Sequence, residues 1–369
     1  MNRTPIEAAM RRAVLLAERG LGSTTPNPVV GCVVLGSDGS VVGEGWHERA
    51  GRPHAEVRAL AEAGERARGG TAVVTLEPCA HAGRTGPCVE ALISAGVSRV
   101  AVGVADPTLA AGGGAARLRD VGVEVIEGVE AQACEDVARH WLTFARTGRP
   151  HVTWKLAATL DGRTAAADGT SRWITGSQAR ADVHRLRARC DAVLVGSGTR
   201  RVDDPHLAVR GIEGVRQPLR VVIETSAALP LTARVLDESA RTLVIVGSDA
   251  SDYHLQRLRD AGIDVAIVPT SAKGVDLTAV LAELARRDVV DLLVEGGARL
   301  VGSLVAQGLL DEVVAYLAPV LLGAGHAALG PAGIATIDQA LRLRPIDHTP
   351  FGPDIRITAR TMASTKGDQ

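Results

Sequence analysis

Short apolar segments alternate with amphipathic, helix-like segments along most of the chain. In the first part, apolar runs rich in β-branched residues predict five strands, at Val29–Leu35, Val41–Trp46, Ala72–Leu76, Arg99–Val104 and Val123–Ile126. The stretches between them fit helices. Regular alternation of strands and helices is typical of α/β proteins, so we predict helices layered on a sheet.

A turn-forming segment, Arg146–Pro150, interrupts this pattern, and a new strand is predicted at His151–Leu156. Its glycine and proline favour a linker rather than a helix or a strand. A chain of 369 residues is expected to contain two or three domains. We therefore predict two domains, residues 1–147 and residues 148–369.

Two later strands end in glycine turns, at Ala192–Thr199 and at Leu292–Ala298. Backbone amides at such turns suit a phosphate group, and a following helix adds a favourable dipole. Close packing of the backbone accounts for such glycines at least as often. Neither turn matches the Gly-x-Gly-x-x-Gly fingerprint well, so a dinucleotide site here would belong to another fold.

Composition excludes several classes of protein. The net charge is −1, and four Trp, two Tyr and two Phe are too few for base-stacking platforms, so we expect no nucleic-acid surface. Residues 313–336 lack Asp, Glu, Lys and Arg, but Pro319 and Pro331 break any helix there. We expect a strand and a loop in this region, and no membrane interaction.

The remaining composition fits a cytoplasmic enzyme. Cys32, Cys134 and Cys190 are expected to be core or surface thiols, because nothing in the spacing of the five cysteines indicates a secreted disulfide framework. The segment Thr4–Glu7 has the pattern of a capping box followed by a helix rather than of a signal peptide.

The most informative residues are His54, Glu56, Cys79 and Cys88. One imidazole and two thiolates form a three-ligand zinc set that leaves one coordination position open for water. Glu56 is then free to move a proton from that water to a leaving amine. His54 should begin the helix after the second strand and Cys79 should follow the third, so we predict one Zn²⁺ per chain at these strand ends.

The spacing of the two thiols departs from the general nucleoside-deaminase pattern. Eight residues separate Cys79 from Cys88, whereas that pattern closes with Pro-Cys-x-x-Cys. Gly83, Gly86 and Pro87 allow the backbone to turn back. We expect Cys88 at the start of the next helix, where the helix dipole favours a thiolate.

Longer motifs cover nearly the whole chain. Those of the first part are Thr25-Pro26-Asn27-Pro28-Val29-Val30-Gly31-Cys32, His47, Gly51-Arg52-Pro53-His54-Ala55-Glu56, Thr75-Leu76-Glu77-Pro78-Cys79, Gly83-Arg84-Thr85 and Pro87-Cys88. Those of the second part are Lys155-Leu156-Ala157-Ala158-Thr159-Leu160-Asp161-Gly162, Ser171-Arg172-Trp173-Ile174-Thr175, Asp203-Asp204-Pro205 and Val294-Glu295-Gly296-Gly297. In this order they closely resemble the bifunctional deaminase/reductases of riboflavin biosynthesis.

The resemblance implies an α/β chain with a cytidine-deaminase-like three-layer N-terminal domain and a dihydrofolate-reductase-like C-terminal domain. The first domain would hydrolyse the 2-amino group of 2,5-diamino-6-ribosylamino-4(3H)-pyrimidinone 5′-phosphate and release ammonia. The second would use NADPH to reduce the ribosyl group to ribityl. The family also implies a homo-oligomer assembled through the reductase domain.

The resemblance assigns roles residue by residue. The zinc ligands are His54, Cys79 and Cys88, and Glu56 is the catalytic proton shuttle. Asp203 falls in the cofactor site, and we predict that it is also catalytic, because a carboxylate there can orient or protonate the opened ribose. Substrate-binding positions are Asn27, His47, Arg84, Thr85 and Asp106 in the first domain and Ser171, Arg187, Leu207, Arg210 and Glu295 in the second. Cofactor-binding positions are Ala157, Trp173, Thr199, Asp203, Gly297, Ala298, Arg299, Leu300, Val301, Gly302 and Ser303.

Several of these residues also have plainer interpretations. Arg187 and Arg210 suit a substrate phosphate because a guanidinium donates bidentately, but solvated surface arginines are common. Trp173 fits either a wall for a flat ring or ordinary core packing. Asp203 and Asp204 before Pro205 are also typical of an extended turn.

A few positions depart from the family pattern. In the first domain, Asp106-Pro107-Thr108-Leu109 stands where Asp-Pro-Asn-Pro is usual, and Gly113 replaces a basic residue. In the second, Gly176 replaces Ser, Arg200 replaces Val, and Glu224 replaces the Asp that usually ends a strand.

Other functions stay open at this stage. One is a deaminase that acts on free cytidine, on tRNA or on another free pyrimidine. Its second domain would then be unrelated, or would be a reductase domain whose activity is lost or changed. The balanced charge and the insert between the cysteines argue against the first two substrates. Another is a regulatory or scaffold protein that keeps the reductase fold without its activity.

Overall fold

The computed structural model describes residues 3–81, 86–109, 111–272 and 274–362. The chain divides into two compact units, Met1–Arg149 (unit 1) and Pro150–Gln369 (unit 2). The division falls within the segment for which a linker is predicted. The helix that precedes it ends at Thr147, and Gly148 follows with a φ of +70°, a left-handed conformation that glycine adopts without strain.

Unit 1 contains one five-stranded sheet in the order β2-β1-β3-β4-β5. Its strands are β1 (Gly31–Leu35), β2 (Val41–Trp46), β3 (Thr71–Leu76), β4 (Arg99–Val104) and β5 (Glu124–Glu127). Its helices are α1 (Arg3–Ala17), α2 (Ala55–Ala63), α3 (Cys88–Ala95), α4 (Gly114–Asp120) and α5 (Ala131–Thr147). β1 pairs antiparallel with β2 and β3, whereas β3, β4 and β5 are mutually parallel.

Both faces of this sheet are covered by helices. Cys32 and Val34 of β1 belong to the core beneath α2, α3 and α4, whereas Val33 and Leu35 belong to the core beneath α1 and α5. Successive residues of a strand point to opposite faces, so a strand buried on both sides needs an unbroken apolar run. The predicted three-layer α/β architecture of this part is therefore confirmed.

Unit 2 is built on a nine-stranded sheet in the order β11-β10-β9-β8-β14-β6-β15-β18-β17. Its strands are β6 (His151–Thr159), β7 (Arg163–Ala165), β8 (Ala192–Gly196), β9 (Leu219–Ile223), β10 (Thr242–Gly247), β11 (Asp264–Val268), β12 (Thr270–Ser271), β13 (Gly274–Val275), β14 (Asp291–Val294), β15 (Glu312–Ala318), β16 (His326–Ala327), β17 (Leu343–Phe351) and β18 (Asp354–Thr361). Its helices are α6 (Ser177–Arg189), α7 (Ser197–Asp203), α8 (Asp252–Asp260), α9 (Leu277–Ala285) and α10 (Ala298–Ala306). Short β7 and β16 pair with each other, as do β12 and β13.

The strands from β11 to β15 are parallel, and β18 and β17 add an antiparallel edge. Helices α9 and α10 pack on one face of the sheet, and α6 and α8 pack on the other. Parallel strands bring their carboxyl ends to one edge. Consequently the segments that follow β8, β9 and β14 meet along the same edge.

Some sequence-based boundaries are wrong. The capping box at Thr4 is not formed, because α1 already includes Arg3. Pro5 lies in the first turn, where its missing N–H has no intrahelical partner to lose, so the helix extends past it. Strand β1 begins at Gly31 rather than Val29, where pairing with Trp46 begins.

The uncharged stretch 313–336 forms β15 and a loop with the short β16, as predicted. Among the described residues, no helix combines the length and apolar character needed to span a bilayer.

Candidate active sites

The three predicted zinc ligands of unit 1 converge. Their donor atoms all lie within 4.8 Å of one another, with 3.2 Å between His54 Nδ1 and Cys88 Sγ and 3.7 Å between His54 Nδ1 and Cys79 Sγ. Zinc bonds of about 2.0–2.3 Å in a tetrahedron separate two ligand atoms by roughly 3.5 Å. The spacing and the N/S/S chemistry of this set therefore fit zinc.

Local structure explains how the ligands meet. His54 is the N-cap residue of α2, directly after the loop that follows β2, and Cys79 lies just beyond the end of β3. Cys88 is the first residue of α3, as predicted, and its backbone N–H donates to Cys79 Sγ at 3.4 Å. The helix N-terminus thus turns a backbone donor towards a thiol sulfur, which favours thiolate character.

Glu56 lies in the first turn of α2 and is only 3% exposed. Burial raises the pKa of its carboxyl group. The Cys79 and Cys88 thiols share a hydrogen bond that lowers the pKa of Cys79 and raises that of Cys88. A buried carboxyl group therefore stands beside the ligand set without belonging to it.

Asn27 and His47 line the same region. Asn27 Nδ2 and His47 Nε2 are 3.1 Å apart, and His47 Nδ1 is 3.3 Å from the carbonyl oxygen of Pro53. The rings of His47 and His54 make an edge contact with centroids 5.2 Å apart. Burial lowers the pKa of His47, which favours a neutral imidazole whose two nitrogens hydrogen-bond on opposite sides.

The loop with Asp106 is organised by a residue that sequence reasoning did not single out. Glu77 accepts hydrogen bonds from the backbone N–H groups of Asp106, at 3.0 Å, and of Ala115, at 2.8 Å. It therefore ties the metal-binding loop to the Asp106 loop and to the start of α4. Its place in the Glu-Pro-Cys motif was the available signal.

The two departures in this loop have local structural roles. Thr108 donates to Asp106 Oδ1 through its backbone N–H, at 2.8 Å, and its hydroxyl, at 2.6 Å. Gly113 caps α4 with a φ of +92°, which a residue with a side chain would adopt only under strain. Arg84 and Thr85, predicted to bind substrate, lie outside the described residues.

In unit 2, a cluster of charged side chains surrounds Glu295, which directly follows β14. Arg187 donates to its carboxylate through Nε, at 2.5 Å, and Nη2, at 2.9 Å, and Lys155 Nζ is 3.7 Å away. Burial alone would raise the pKa of Glu295, but the charges of Arg187 and Lys155 outweigh it and lower that pKa to about 2. Glu295 is thus a fixed buried anion.

This arrangement changes the expectation for Arg187. It is no solvated surface arginine, because its side chain is only 12% exposed. The pairing with Glu295 occupies two of its donors, and Nη1 contacts the carbonyl oxygen of Ala208 at 3.3 Å. A bidentate grip on a phosphate would therefore require this pair to open.

Lys155 is a further charged residue of this cluster, to which the sequence motif assigns no role. It is the one lysine or arginine of β6, whose sequence is His-Val-Thr-Trp-Lys-Leu-Ala-Ala-Thr. Val294 pairs with Trp154 across β14 and β6, so Lys155 lies beside the residue that follows β14, which is Glu295. The position of this ammonium group thus follows from strand register, which local patterns do not reveal.

Arg210 is exposed and its backbone N–H donates to His184 Nδ1 at 3.2 Å. Burial, together with the nearby charges of Arg187 and Arg210, lowers the pKa of His184 to about 4, so its imidazole is neutral near pH 7. Leu207 is buried in the core with a φ of +60°, so it offers a ligand only its backbone.

Thr199 and Asp203 both lie on α7, which begins immediately after β8. Burial raises the pKa of Asp203, opposed by the charges of Arg172 and Lys155. Asp203 therefore lies close enough to Lys155 for their charges to interact. It is the last residue of helix α7.

Trp173 is 70% exposed, which excludes the core-packing interpretation. The Arg180 guanidinium lies over its ring, 4.5 Å from the centroid. Ser171 lies in the same loop and is half-buried. Gly176, one of the departures, caps α6, and its N–H donates to Asp354 Oδ2 at 2.7 Å.

The glycine turn after β14 leads into α10, whose N-cap Gly297 provides no side-chain cap. The amides of the first turn are thus left to other acceptors. A Cβ at Gly297 would lie 3.2 Å from Thr199 Oγ1, so α7 and α10 approach each other there.

Val301 and Gly302 are buried, Val301 in the core and Gly302 against the Pro331 carbonyl, so their side-chain positions face away from this turn. The other predicted cofactor residues are exposed or half-buried. They are Ala157 on β6 and Ala298, Arg299, Leu300 and Ser303 on α10.

Two family models match the chain, one in each unit. The cytidine and deoxycytidylate deaminase zinc-binding region matches residues 3–104, and the RibD C-terminal domain matches residues 150–357. The first match contains all three convergent ligands. The second contains the Glu295 cluster and the whole parallel sheet.

Full-length relatives agree with both matches. The riboflavin biosynthesis protein RibD of Aquifex aeolicus is 41% identical over 94% of this chain and 96% of its own length. That of Mycobacterium tuberculosis H37Rv is 42% identical over 96% of both.

Among solved structures, RibD of Acinetobacter baumannii superposes with a TM-score of 0.88, at 40% identity over 98% of this chain and 100% of its own. A deaminase/reductase from Thermotoga maritima gives a TM-score of 0.85, at 33% identity over 98% of this chain and 99% of its own. The chain therefore belongs to the RibD family of bifunctional riboflavin-biosynthesis enzymes, with a zinc-binding deaminase domain followed by a dihydrofolate-reductase-like reductase domain.

Proposed function

We propose that the two sites act in turn on one pyrimidine ribosyl phosphate. The first reaction would remove the 2-amino group of 2,5-diamino-6-ribosylamino-4(3H)-pyrimidinone 5′-phosphate, and the second would reduce the ribosyl group of the product to ribityl. The Thermotoga maritima relative is named as a diaminohydroxyphosphoribosylaminopyrimidine deaminase and 5-amino-6-(5-phosphoribosylamino)uracil reductase, which combines two such activities. The observation that carries the proposal is the convergence of His54, Cys79 and Cys88 beside buried Glu56.

In the deaminase, one zinc per chain would be held by His54, Cys79 and Cys88. Zinc in such a set supplies an activated water for attack on a ring carbon that bears an amino group. Glu56 would take the proton from the water and deliver it to the leaving amine, because it is buried beside the ligands without being one. Asn27, His47, Arg84, Thr85 and Asp106 would hold the pyrimidine and its phosphate.

In the reductase, NADPH would supply the hydride. Burial raises the pKa of Asp203, and the charges of Arg172 and Lys155 oppose this shift, which suits a group that orients or protonates the opened ribose. The buried pair of Arg187 with Glu295 would keep Lys155 in place and present a carboxylate to sugar hydroxyls. Ser171, Leu207 and Arg210 would complete the substrate site.

The residues around the carboxyl edge of the sheet fit NADPH. Uncapped amides at Gly297 and the start of α10 suit a pyrophosphate, and Thr199 lies beside them. Exposed Trp173 provides a flat surface for a ring, and Ala157 lies on β6 near Lys155. The remaining candidate contacts are Ala298, Arg299, Leu300, Val301, Gly302 and Ser303, of which Val301 and Gly302 would act through their backbone.

A two-stage assay tests this function. Purified zinc-loaded protein is given the diamino compound and ammonia is measured, after which NADPH is added and its oxidation is followed. We expect ammonia first and NADPH oxidation only with the deaminated product. Ammonia from free cytidine but not from the diamino compound would contradict the substrate. Ammonia without NADPH oxidation would indicate a reductase fold without its activity.

We also propose that the two activities reside in separable domains, residues 1–147 and 148–369. Expressed separately, these fragments should give a zinc-dependent deaminase and a zinc-free reductase, each with a cooperative thermal transition. A transition lost from both fragments would mean that the halves share a core.

The protein is further proposed to be a cytoplasmic homo-oligomer that binds no nucleic acid or membrane. Its five cysteines are free, as expected in a reducing compartment. Strand β17 forms the edge of the large sheet and exposes Leu343, Ile346 and neighbouring Ile355 of β18, which a second copy would cover. Sedimentation analysis should give a species larger than one chain, and Ile355→Lys should shift it towards the monomer.

A further inference from the structure

Helix α7 has no apolar anchor, although it carries Thr199 and Asp203. Among its seven residues, all of which the structure describes, the one that is buried is Arg200. Val202, its single large apolar residue, is 76% exposed. Helices on the surface of a globular protein usually dock through an apolar stripe, so α7 must be held by polar contacts.

Arg200 reaches the residue that follows β9. Its Nη2 lies 2.7 Å from Glu224 Oε2, and the two side chains are 8% and 2% exposed. Arg201 adds a weaker contact, with Nη1 3.9 Å from Glu224 Oε1. A buried ion pair is costly to break from one side, because the remaining charge is left without a partner in a poorly solvated place.

The pair joins two residues that are far apart in the sequence. Arg200 lies on α7, and Glu224 directly follows β9. An arginine buried at this position needs an acid within reach, and Glu224 supplies it from 24 residues further along the chain. The ion pair is therefore a tertiary contact that fixes α7 against the end of β9.

We propose that the Arg200–Glu224 ion pair is a positioning device that docks α7 and thereby sets Thr199 and Asp203 in the reductase site. This inference rests on the reductase activity proposed above. Other contacts of α7 lie at its C-terminal end, where Arg172 Nη2 donates to the Asp203 carbonyl at 3.0 Å and Asp204 Oδ1 accepts from the Arg234 N–H at 3.1 Å.

The ion pair controls the middle of the helix, where Thr199 meets the start of α10. Because Thr199 Oγ1 is 3.2 Å from the Cβ position of Gly297, a small displacement of α7 changes the space beside the uncapped amides. A misplacement of about 1 Å is enough to cost on the order of 10²-fold in rate. Loss of the pair should thus act on the cofactor step and leave deamination unchanged.

The test uses two single variants of the full chain, Arg200→Met and Glu224→Gln. Without NADPH, amide hydrogen exchange in residues 197–203 should become at least about 10-fold faster, because the helix opens more easily. With NADPH and the deaminated substrate, the KM for NADPH should rise roughly 10-fold or more while ammonia release stays at the wild-type rate. The matched control is Arg216→Met, which removes one ion-pair partner of Asp191 at the opposite end of β8 and should leave amide exchange in 197–203 and the KM for NADPH unchanged.

The proposal would be overturned if either variant shows unchanged amide hydrogen exchange in residues 197–203 together with a KM for NADPH within about twofold of wild type. A wild-type chain that never oxidises NADPH would instead refute the proposed reductase, and the exchange measurement would still test the docking. If the single variants do not fold, Arg200→Met combined with Glu224→Met is examined by thermal unfolding. The double variant should fold because no buried charge is left without a partner and Arg201 is solvent-exposed. A double variant as unstable as the single variants would contradict the coupling.

Discussion

Two buried glutamates, one in each unit, have pKa values displaced in opposite directions. Glu56 lies beside thiols and an imidazole, and burial raises its pKa. Burial also acts on Glu295, but Arg187 and Lys155 outweigh it and lower its pKa to about 2. A glutamate side chain thus suits proton transfer at position 56 and a constant negative charge at position 295. The difference between the two pKa shifts comes from the cations that the fold places beside Glu295.

The two sites also differ in how the chain builds them. The zinc set comes from short motifs between His54 and Cys88, because a single ion needs three donors and one loop-and-helix system can supply them. The proposed reductase site would draw on β6, α6, α7 and β14, because a long cofactor and a sugar phosphate would need surface from several strand ends. Loss of one zinc ligand should therefore abolish deamination, whereas loss of one cofactor or substrate contact should lower the reductase activity only in part.

The largest effect is expected for Cys79→Ala, which removes one of three protein ligands. We predict that the variant loses its zinc and that ammonia release falls to background, since the metal and its activated water are lost together. Metal analysis after gel filtration measures this. Cys32→Ala is the control, a buried cysteine of the same unit outside the set. Equal zinc in Cys79→Ala and wild type would contradict the ligand assignment.

Glu56→Gln should separate metal binding from proton transfer. We expect zinc at the wild-type level but ammonia release reduced by on the order of 10²-fold or more, because the amide cannot carry the proton. Reduction of supplied deaminated substrate should continue unchanged. Near-normal deamination would remove Glu56 from the proton-transfer role.

Glu295→Gln tests the charged cluster of unit 2. It leaves Arg187 and Lys155 without their anion, so the free energy of unfolding of this unit should fall by about 3–5 kcal/mol. Urea denaturation of the 148–369 fragment would measure the change. Glu213→Gln, an exposed glutamate of the same unit, should stay within about 0.5 kcal/mol of wild type. Equal stability of the two variants would show that the pair adds nothing to the fold.

The pH dependence of stability gives the smallest of these effects. The pKa of Glu295 is about 2 in the folded chain against an ordinary value of 4.5, so its stabilisation is fully present above pH 4.5 and is lost as the pH falls through 2. The loss should approach about 3 kcal/mol and be absent in Glu295→Gln. Parallel pH profiles of wild type and variant would contradict this assignment.

Much of the fold could be predicted because it is encoded locally. Apolar runs predicted the strands of unit 1 to within two residues at each end, and the glycines before Cys88 indicated its place at the start of α3. The start of α1 was wrong because a proline is compatible with several positions of a first helical turn. Local patterns thus gave the elements more reliably than their ends.

Contacts made by register and tertiary packing could not be predicted in this way. Lys155 meets Glu295 only because β6 and β14 are neighbours in a fixed register, and Arg200 meets Glu224 only because α7 folds back over β9. No pattern within a short window carries that information. The same reason explains why Arg187 could be interpreted as a surface residue or a phosphate ligand until its pairing with Glu295 was known.

The central claim is that one chain performs two chemically independent steps, and Asp203→Asn tests it most directly. The variant is incubated with the diamino compound and NADPH, and the products are separated by chromatography. We predict that ammonia appears at the wild-type rate while the deaminated ribosyl compound accumulates, because the zinc site is intact and the sugar is no longer oriented for hydride transfer. Ribityl product at the wild-type rate, or loss of ammonia release together with reduction, would contradict the account.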